Sequence, residues 1–359
     1  MRKTILYLVI LGLLGFAVYF FLFNNRESSP YSEDEAGFTI KDTSLIGKIY
    51  LASQDGESVT IERTDSFWMV NKLYHALPST LNRLLLTLKD QKPLYPVTQN
   101  AYENAIKIMS TEGIKVEIYG RDGKKMRCFY VGGVAVNNSG TNMLMDGAKK
   151  PYVVQMAGFN GYLTPHYPTQ IRYWRDRLLI NIPAEQLKRV SLQYFDKPMN
   201  SFELIQDGSK ITVTGDSNYS KYTDRYNTRR AKIYTKFFSN INCEGYLNGL
   251  ADMDTTLKTT RRHSVLDIEG NNGQRQHMEI YWVPINKRSK NLDVSDPDVP
   301  DDYDADRLYA VVNNNKDTVM IQQFVFKNMF RKLYEFYQAD VDPSQTAPPK
   351  TRNAVYKKN

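Results

Sequence analysis

The chain has 359 residues, 42% apolar and 12% aromatic, which excludes a disordered protein and allows two ordinary domains or one large one. Net charge is +8 with both signs mixed along the length, which suits a solvated surface, anionic lipid headgroups or an acidic partner. Cys128 and Cys243 are too few and too far apart for a disulfide framework; they are read as separate buried thiols, with a single bridge in an oxidising compartment as the other reading.

Residues 5–23, ILYLVILGLLGFAVYFFLF, carry no charge and follow Met1-Arg2-Lys3. As a helix they would span roughly 28 Å, close to the hydrocarbon thickness of a bilayer. A cleaved signal peptide is the rival reading, but its apolar core runs about 7–15 residues and ends at a small-residue cleavage site. Here the run ends in Tyr19-Phe20-Phe21-Leu22-Phe23. Arg2 and Lys3 outweigh Arg26, which sits among Glu27, Glu33, Asp34 and Glu35. The expectation is a single-pass signal-anchor in the inner membrane through residues 5–23, with a cytoplasmic amino terminus and a periplasmic remainder. Nucleic acid is then a poor partner.

Residues 24–37 form a polar tether. From Phe38 the chain reads as short strands over Lys48–Leu51, Ser58–Glu62 and Phe67–Val70. Pro78 opens a helix with Leu81, Leu84, Leu85 and Leu88 at helical spacing, ended by Lys92-Pro93-Leu94-Tyr95. A second helix covers Asn100–Met109 and stops at Gly113. Hairpins follow, Ile114–Tyr119 with Met126–Val131 and Asn142–Met145 with Tyr152–Gln155, and then a brief helix over Ala157–Leu163.

The second half repeats this order. Leu187–Leu192 echoes Ile46–Leu51, Ile268-x-Gly270-x-x-Gly273 echoes Ile118-x-Gly120-x-x-Gly123, and Val319-Met320-Ile321-Gln322 echoes Tyr152-Val153-Val154-Gln155. The expected fold is α+β: a transmembrane helix, then two tandem copies of a mainly antiparallel sheet unit with covering helices. The copies are 38–163 and 182–338, joined by a linker over 164–181. The second carries an acidic insertion over 287–306, and 339–359 forms a disordered tail.

No cofactor or catalytic residue is expected. His75, His166, His263 and His277 have no metal-ligand spacing, and no nucleophile motif occurs. Asp296, Asp298, Asp302 and Asp304 could offer oxygens to Ca²⁺, though a solvated acidic loop is the simpler reading. Tyr173, Trp174 and Arg175 interleave basic and aromatic side chains. They read as a packed linker or, alternatively, as a partner-binding patch.

The anchor, Ile46-x-Lys48-Ile49, Trp68-Met69-Val70-Asn71, the Leu-rich helix, Tyr173-Trp174-Arg175-Asp176 and Asp306-Arg307-Leu308-Tyr309-Ala310 together resemble a bacterial family. Its members are membrane-anchored, built on a repeated domain of unknown function and frequent in Bacteroidota, often encoded near ABC-transporter or gliding-type envelope components. The resemblance implies location and architecture rather than a reaction. The expected role is a non-enzymatic accessory module that binds other envelope proteins. The alternative is a cell-wall or glycan-binding protein or hydrolase with a site between the two repeats.

Overall fold

The architecture follows from a helix that must join opposite edges of one sheet. The computed structural model describes residues 32–215, 226–292, 294, 299–314 and 316–337. The chain divides into two units, Met1–Trp174 and Arg175–Asn359.

After a short helix, α1 (Glu33–Ala36), the first unit runs through β1 (Ile46–Ser53), β2 (Ser58–Arg63), β3 (Trp68–Val70), β4 (Tyr74–His75) and α2 (Pro78–Asp90). It continues through β5 (Gln91–Pro96), α3 (Gln99–Glu112), β6 (Ile114–Gly120), β7 (Lys125–Val134), β8 (Thr141–Met145) and β9 (Tyr152–Met156). The strands form one nine-stranded antiparallel sheet, β4-β3-β2-β1-β6-β7-β8-β9-β5. Helix α2 therefore leaves one edge strand and delivers the chain directly to the other. Its thirteen residues span only about 20 Å. Nine strands laid flat would put the edges about 38 Å apart. The sheet must curl until α2 can bridge it.

The apolar pattern supports that curl. Helix α2 buries Leu81, Leu84 and Leu88 in one core with Ile49, Leu51, Ile61, Val116, Ile118 and Phe129 from the strands. Pro78 occupies its first turn, where a missing N–H costs nothing. A bulge between Ile46 and Lys48 keeps Ile46, Ile49 and Leu51 all facing inward. Each such side chain contributes about 2–3 kcal/mol by burial.

The second unit runs through β10 (Leu178–Ile180), β11 (Leu187–Tyr194), β12 (Phe202–Asp207), β13 (Lys210–Gly215), α4 (Thr228–Tyr234), β14 (Ile241–Asn242) and β15 (Gly245–Tyr246). Then come α5 (Met253–Thr259), β16 (Arg262–Gly270), β17 (Arg275–Pro284), β18 (Tyr303–Val312), β19 (Asp317–Gln322) and α6 (Gln323–Phe326). Its main sheet is β13-β12-β11-β16-β17-β18-β19-β15, and β10 pairs with β14. Taking β11 for β1, β16 for β6 and β15 for β5, the strand order matches that of the first sheet from β3 onward. The bulge recurs too, between Leu187 and Arg189.

Several expectations are corrected. The fold is mainly antiparallel β, because long curled sheets supply most of each core and the helices are short. No helix among the described residues is long and apolar enough to cross a membrane, and the expected spanning segment, 5–23, lies outside those residues. Most of 24–37 and all of 339–359 also lie outside them. The segment Lys92–Tyr95, read as a helix stop, belongs to edge strand β5, which pairs with β9. Ala157–Leu163 forms turns and loop instead of a helix.

Residues 164–181, read as a linker, contain the boundary between the two units and are packed on both sides of it. Tyr167 and Trp174 are fully buried in the first core. The Tyr167 hydroxyl donates to Gln91 Oε1 at 2.5 Å, and Gln91 Nε2 donates to the Phe38 carbonyl at 2.7 Å. Arg175 opens the second unit with a buried two-pronged pair to Asp317, Nη1–Oδ1 2.7 Å and Nη2–Oδ2 2.8 Å. The guanidinium lies 3.7 Å from the Tyr246 ring centroid. Burial would raise the Asp317 pKa, but the bonds from Arg175 and Asn313 outweigh it and hold the carboxyl below its ordinary value.

Removing one buried partner strands the other charge. Arg175→Ala should therefore lower the stability of the second unit by about 3 kcal/mol in urea unfolding, whereas the apolar double replacement Arg175→Met with Asp317→Leu should recover most of that loss.

Candidate binding pocket

The two sheets differ most where corresponding strands end. Ser53 pairs with Ile114 in the first unit, as Tyr194 pairs with Ser264 in the second. Ile114 also pairs with Val131, and Ser264 with Ile280. One residue before Ile114 is Gly113, and its counterpart is His263. Two residues after Val131 is Gly133, and its counterpart is Trp282.

The glycines in the first unit are there for space. A Cβ on Gly113 would lie 2.1 Å from the Met109 carbonyl oxygen, and one on Gly133 would lie 3.2 Å from Ile108 Cγ2. Helix α3 sits against that strand end. In the second unit the corresponding helix, α5, has seven residues instead of fourteen. Side chains and a cavity of about 440 Å³ occupy the region around Trp282. That volume lies within the usual range for small-ligand sites.

The aromatic part of the lining is held by edge-to-face contacts. The His263 ring centroid is 4.7 Å from that of Trp282 and 5.6 Å from that of Tyr194, with near-perpendicular planes. Phe330 closes on His263 at 5.1 Å. Strands β11, β16 and β17 supply Tyr194, His263 and Trp282, so the sheet itself fixes these rings. Phe324, in α6, stands largely exposed with the Lys327 ammonium 4.6 Å from its ring centroid.

The polar lining has two characters. Both acids are engaged: Asp196 accepts from Arg261 Nε at 2.7 Å and from the Trp282 indole at 3.2 Å, and Asp306 accepts from Arg288 at 2.8 Å. Lys197, Lys327 and Lys332 add three ammonium groups. Gln323 Nε2 is a buried donor with no acceptor among the described atoms.

His263 lies next to Ser264, Nδ1 to Oγ 2.7 Å, but Ser264 is fully buried and cannot meet a substrate. Burial pushes the His263 pKa down to about 4, so the ring is neutral at ordinary pH.

The residues singled out from sequence fall elsewhere. Trp174 is fully buried, its indole donating to the Pro168 carbonyl at 2.7 Å, and Arg175 is committed to Asp317. Tyr173 alone is exposed, beside Arg172. The patch does not form, because two successive residues, Trp174 and Arg175, are buried in different units. Of the Ca²⁺ candidates, Asp296 and Asp298 lie outside the described residues. Asp302 is exposed. Asp304 is fully buried, accepting from Arg288 and from the backbone N–H groups of Asp306 and Arg307. Those bonds occupy the oxygens a cation would need. Among the described residues no three His, Cys, Asp or Glu side chains converge on a metal position. Cys128 and Cys243 are buried and unbridged, and burial raises each thiol pKa to about 11.

Sequence reasoning missed the pocket because its residues come from five separated segments. The available signal was local: His263 and Trp282 stand where the first copy has Gly113 and Gly133. Comparison with protein-family models, curated proteins and solved structures gives no match.

The buried histidine makes the pocket pH-sensitive. The unfolded chain takes up a proton near pH 6.5, while the folded chain resists it down to about pH 4. Stability therefore falls as pH drops through that window. Between pH 7.5 and 5 the histidine should cost about 2 kcal/mol, and His263→Gln should lose that share of the pH dependence in paired urea titrations.

Proposed function

We propose that this chain is a non-enzymatic interaction module of the cell envelope and that the pocket around Trp282 is its binding site. The supporting observation is the exchange of Gly113 and Gly133 in one copy for His263 and Trp282 in the other, together with the cavity there. A purely architectural repeat has no need to open a cavity beside a tryptophan.

The proposed setting is the outer face of the inner membrane. It rests on the charge-free stretch 5–23 with its basic flank, and on the resemblance to membrane-anchored envelope proteins. Other envelope proteins, including transporter- or gliding-associated components, are the proposed partners.

Aromatic walls also suit sugar faces, which keeps glycan binding as the second reading. Hydrolysis is less well supported. It calls for one carboxyl group as acid and another as base or nucleophile. Asp196 and Asp306 are each bonded to an arginine, so neither carboxyl stands free to face a substrate.

Crosslinked membranes from cells expressing the tagged chain test the proposal. The wild type should recover a reproducible set of envelope proteins, and Phe324→Ser with Lys327→Glu, both at exposed positions, should lose at least one of them. Identical recoveries from both would remove the pocket from the interaction, and an empty recovery from the wild type would remove the interaction itself.

A further inference from the structure

We infer that the cavity beside the β6–β7 turn of the first unit takes a phosphoryl group between Arg63 and Arg121. This site does not rest on the role proposed for the pocket around Trp282.

The cavity measures about 410 Å³ and is lined by the start of β1, the end of β2 and the β6–β7 turn. Backbone carbonyls bring its two guanidiniums together. Arg63 Nη2 donates to the Thr43 carbonyl at 3.4 Å, and Arg121 Nε donates to the next carbonyl, that of Ser44, at 2.9 Å. Both acceptors are neutral, and among the described residues no carboxylate bonds either arginine. Arg63 lies 4.6 Å from the centroid of the Trp68 ring. Burial and the Arg121 charge hold the Arg63 pKa below its ordinary value. An anion seated between the two like charges would relieve their repulsion.

Nearby acids are the counterweight. Glu62 and Asp65 share the lining with Lys48, Arg63 and Arg121, two acids against three cations. Glu62 also lies 4.0 Å from Lys72. Just outside, Asp42 accepts from the Ser44 N–H at 2.9 Å, and Asp122 lies 3.8 Å from Lys124.

The second copy separates what the frame needs from what these arginines add. The Asn271 N–H donates to the Gln186 carbonyl as the Arg121 N–H donates to that of Leu45. Two residues before Gln186, the Ala184 carbonyl accepts from Gln206 Nε2 at 3.0 Å, as Thr43 accepts from Arg63. Neutral residues therefore hold the same frame, and the two charges of the first copy exceed its needs. Their shape selects the anion. One guanidinium donates two parallel bonds to one oxyanion. Two separate guanidiniums suit a group with three oxygens, which a phosphoryl group has and a carboxylate lacks.

Trp68 reports on the site because Arg63 lies on its ring. Inorganic phosphate, titrated into the full chain at constant ionic strength, should shift the Trp68 ¹⁵N-indole signal saturably and leave Trp174 and Trp282 in place. Acetate should bind about tenfold more weakly. Arg121→Asn, which copies the second unit at this position, should weaken phosphate by about tenfold with an unchanged urea midpoint, and Arg121→Lys should recover part of that loss. Dihexanoyl phosphatidic acid below its micelle concentration separates two sources of the same chemistry. Tighter binding than inorganic phosphate would identify a lipid headgroup; equal or weaker binding would identify a soluble phosphate. Acetate binding as tightly as phosphate, a Trp68 response that never saturates, or undiminished phosphate affinity in Arg121→Asn would overturn the inference.

Discussion

The first unit depends on one geometric constraint: a short helix must connect the two edges of its own sheet. Helix α2 bridges β4 to β5 there, while in the second unit a longer stretch that includes α4 and β14 lies between β13 and β15. A flat sheet would be too wide for such a bridge. Curling brings the edges within reach and turns one strand face inward, and that face becomes the core. The bulges at Ile46–Lys48 and Leu187–Arg189 serve the same end, re-phasing the central strand so that three apolar residues point inward. Sheet order, core composition and the shortness of the helices all follow from closing this circuit.

Given that shared frame, the two units diverge where the frame leaves freedom. The start of β6 and the end of β7 are covered by a long helix on glycine in the first unit, and the corresponding ends of β16 and β17 are lined by large rings in the second. Covering with α3 fills the space. Shortening the helix and inserting His263 and Trp282 leaves an aromatic cavity to which the chain after β19 adds Phe324, Lys327 and Phe330. The same economy appears at the boundary between units. Trp174 is buried in the core of the first unit, and the next residue, Arg175, is buried against Asp317 of the second.

Much of the sheet was legible in sequence, because strands facing a core on one side alternate and hairpins carry glycine at fixed places. Gly120 and Gly123, with Gly270 and Gly273, marked corresponding turns in both halves. The edge strand β5 was not legible, since Pro93 and Pro96 argue against a strand. Prolines are tolerated at an edge, where one side of the backbone needs no ladder partner. Asp304 looked like one more residue of a solvated acidic run. The start of β18 turns it inward, and Arg288 and two backbone N–H groups stabilise it there. The pocket was the least legible feature: it joins strand ends, the acidic insertion and the chain after β19, and no periodicity relates them.

The central claim is that the exchange of glycine for tryptophan at this strand end created a binding site. The most direct measurement is the ¹⁵N-indole spectrum of the full chain during addition of an envelope partner recovered by crosslinking. Trp68, Trp174 and Trp282 give three side-chain signals, assigned by conservative replacement to phenylalanine. The account predicts a saturable shift of the Trp282 signal, with Trp68 and Trp174 unmoved. A Trp282 signal that stays in place while the partner binds would contradict it.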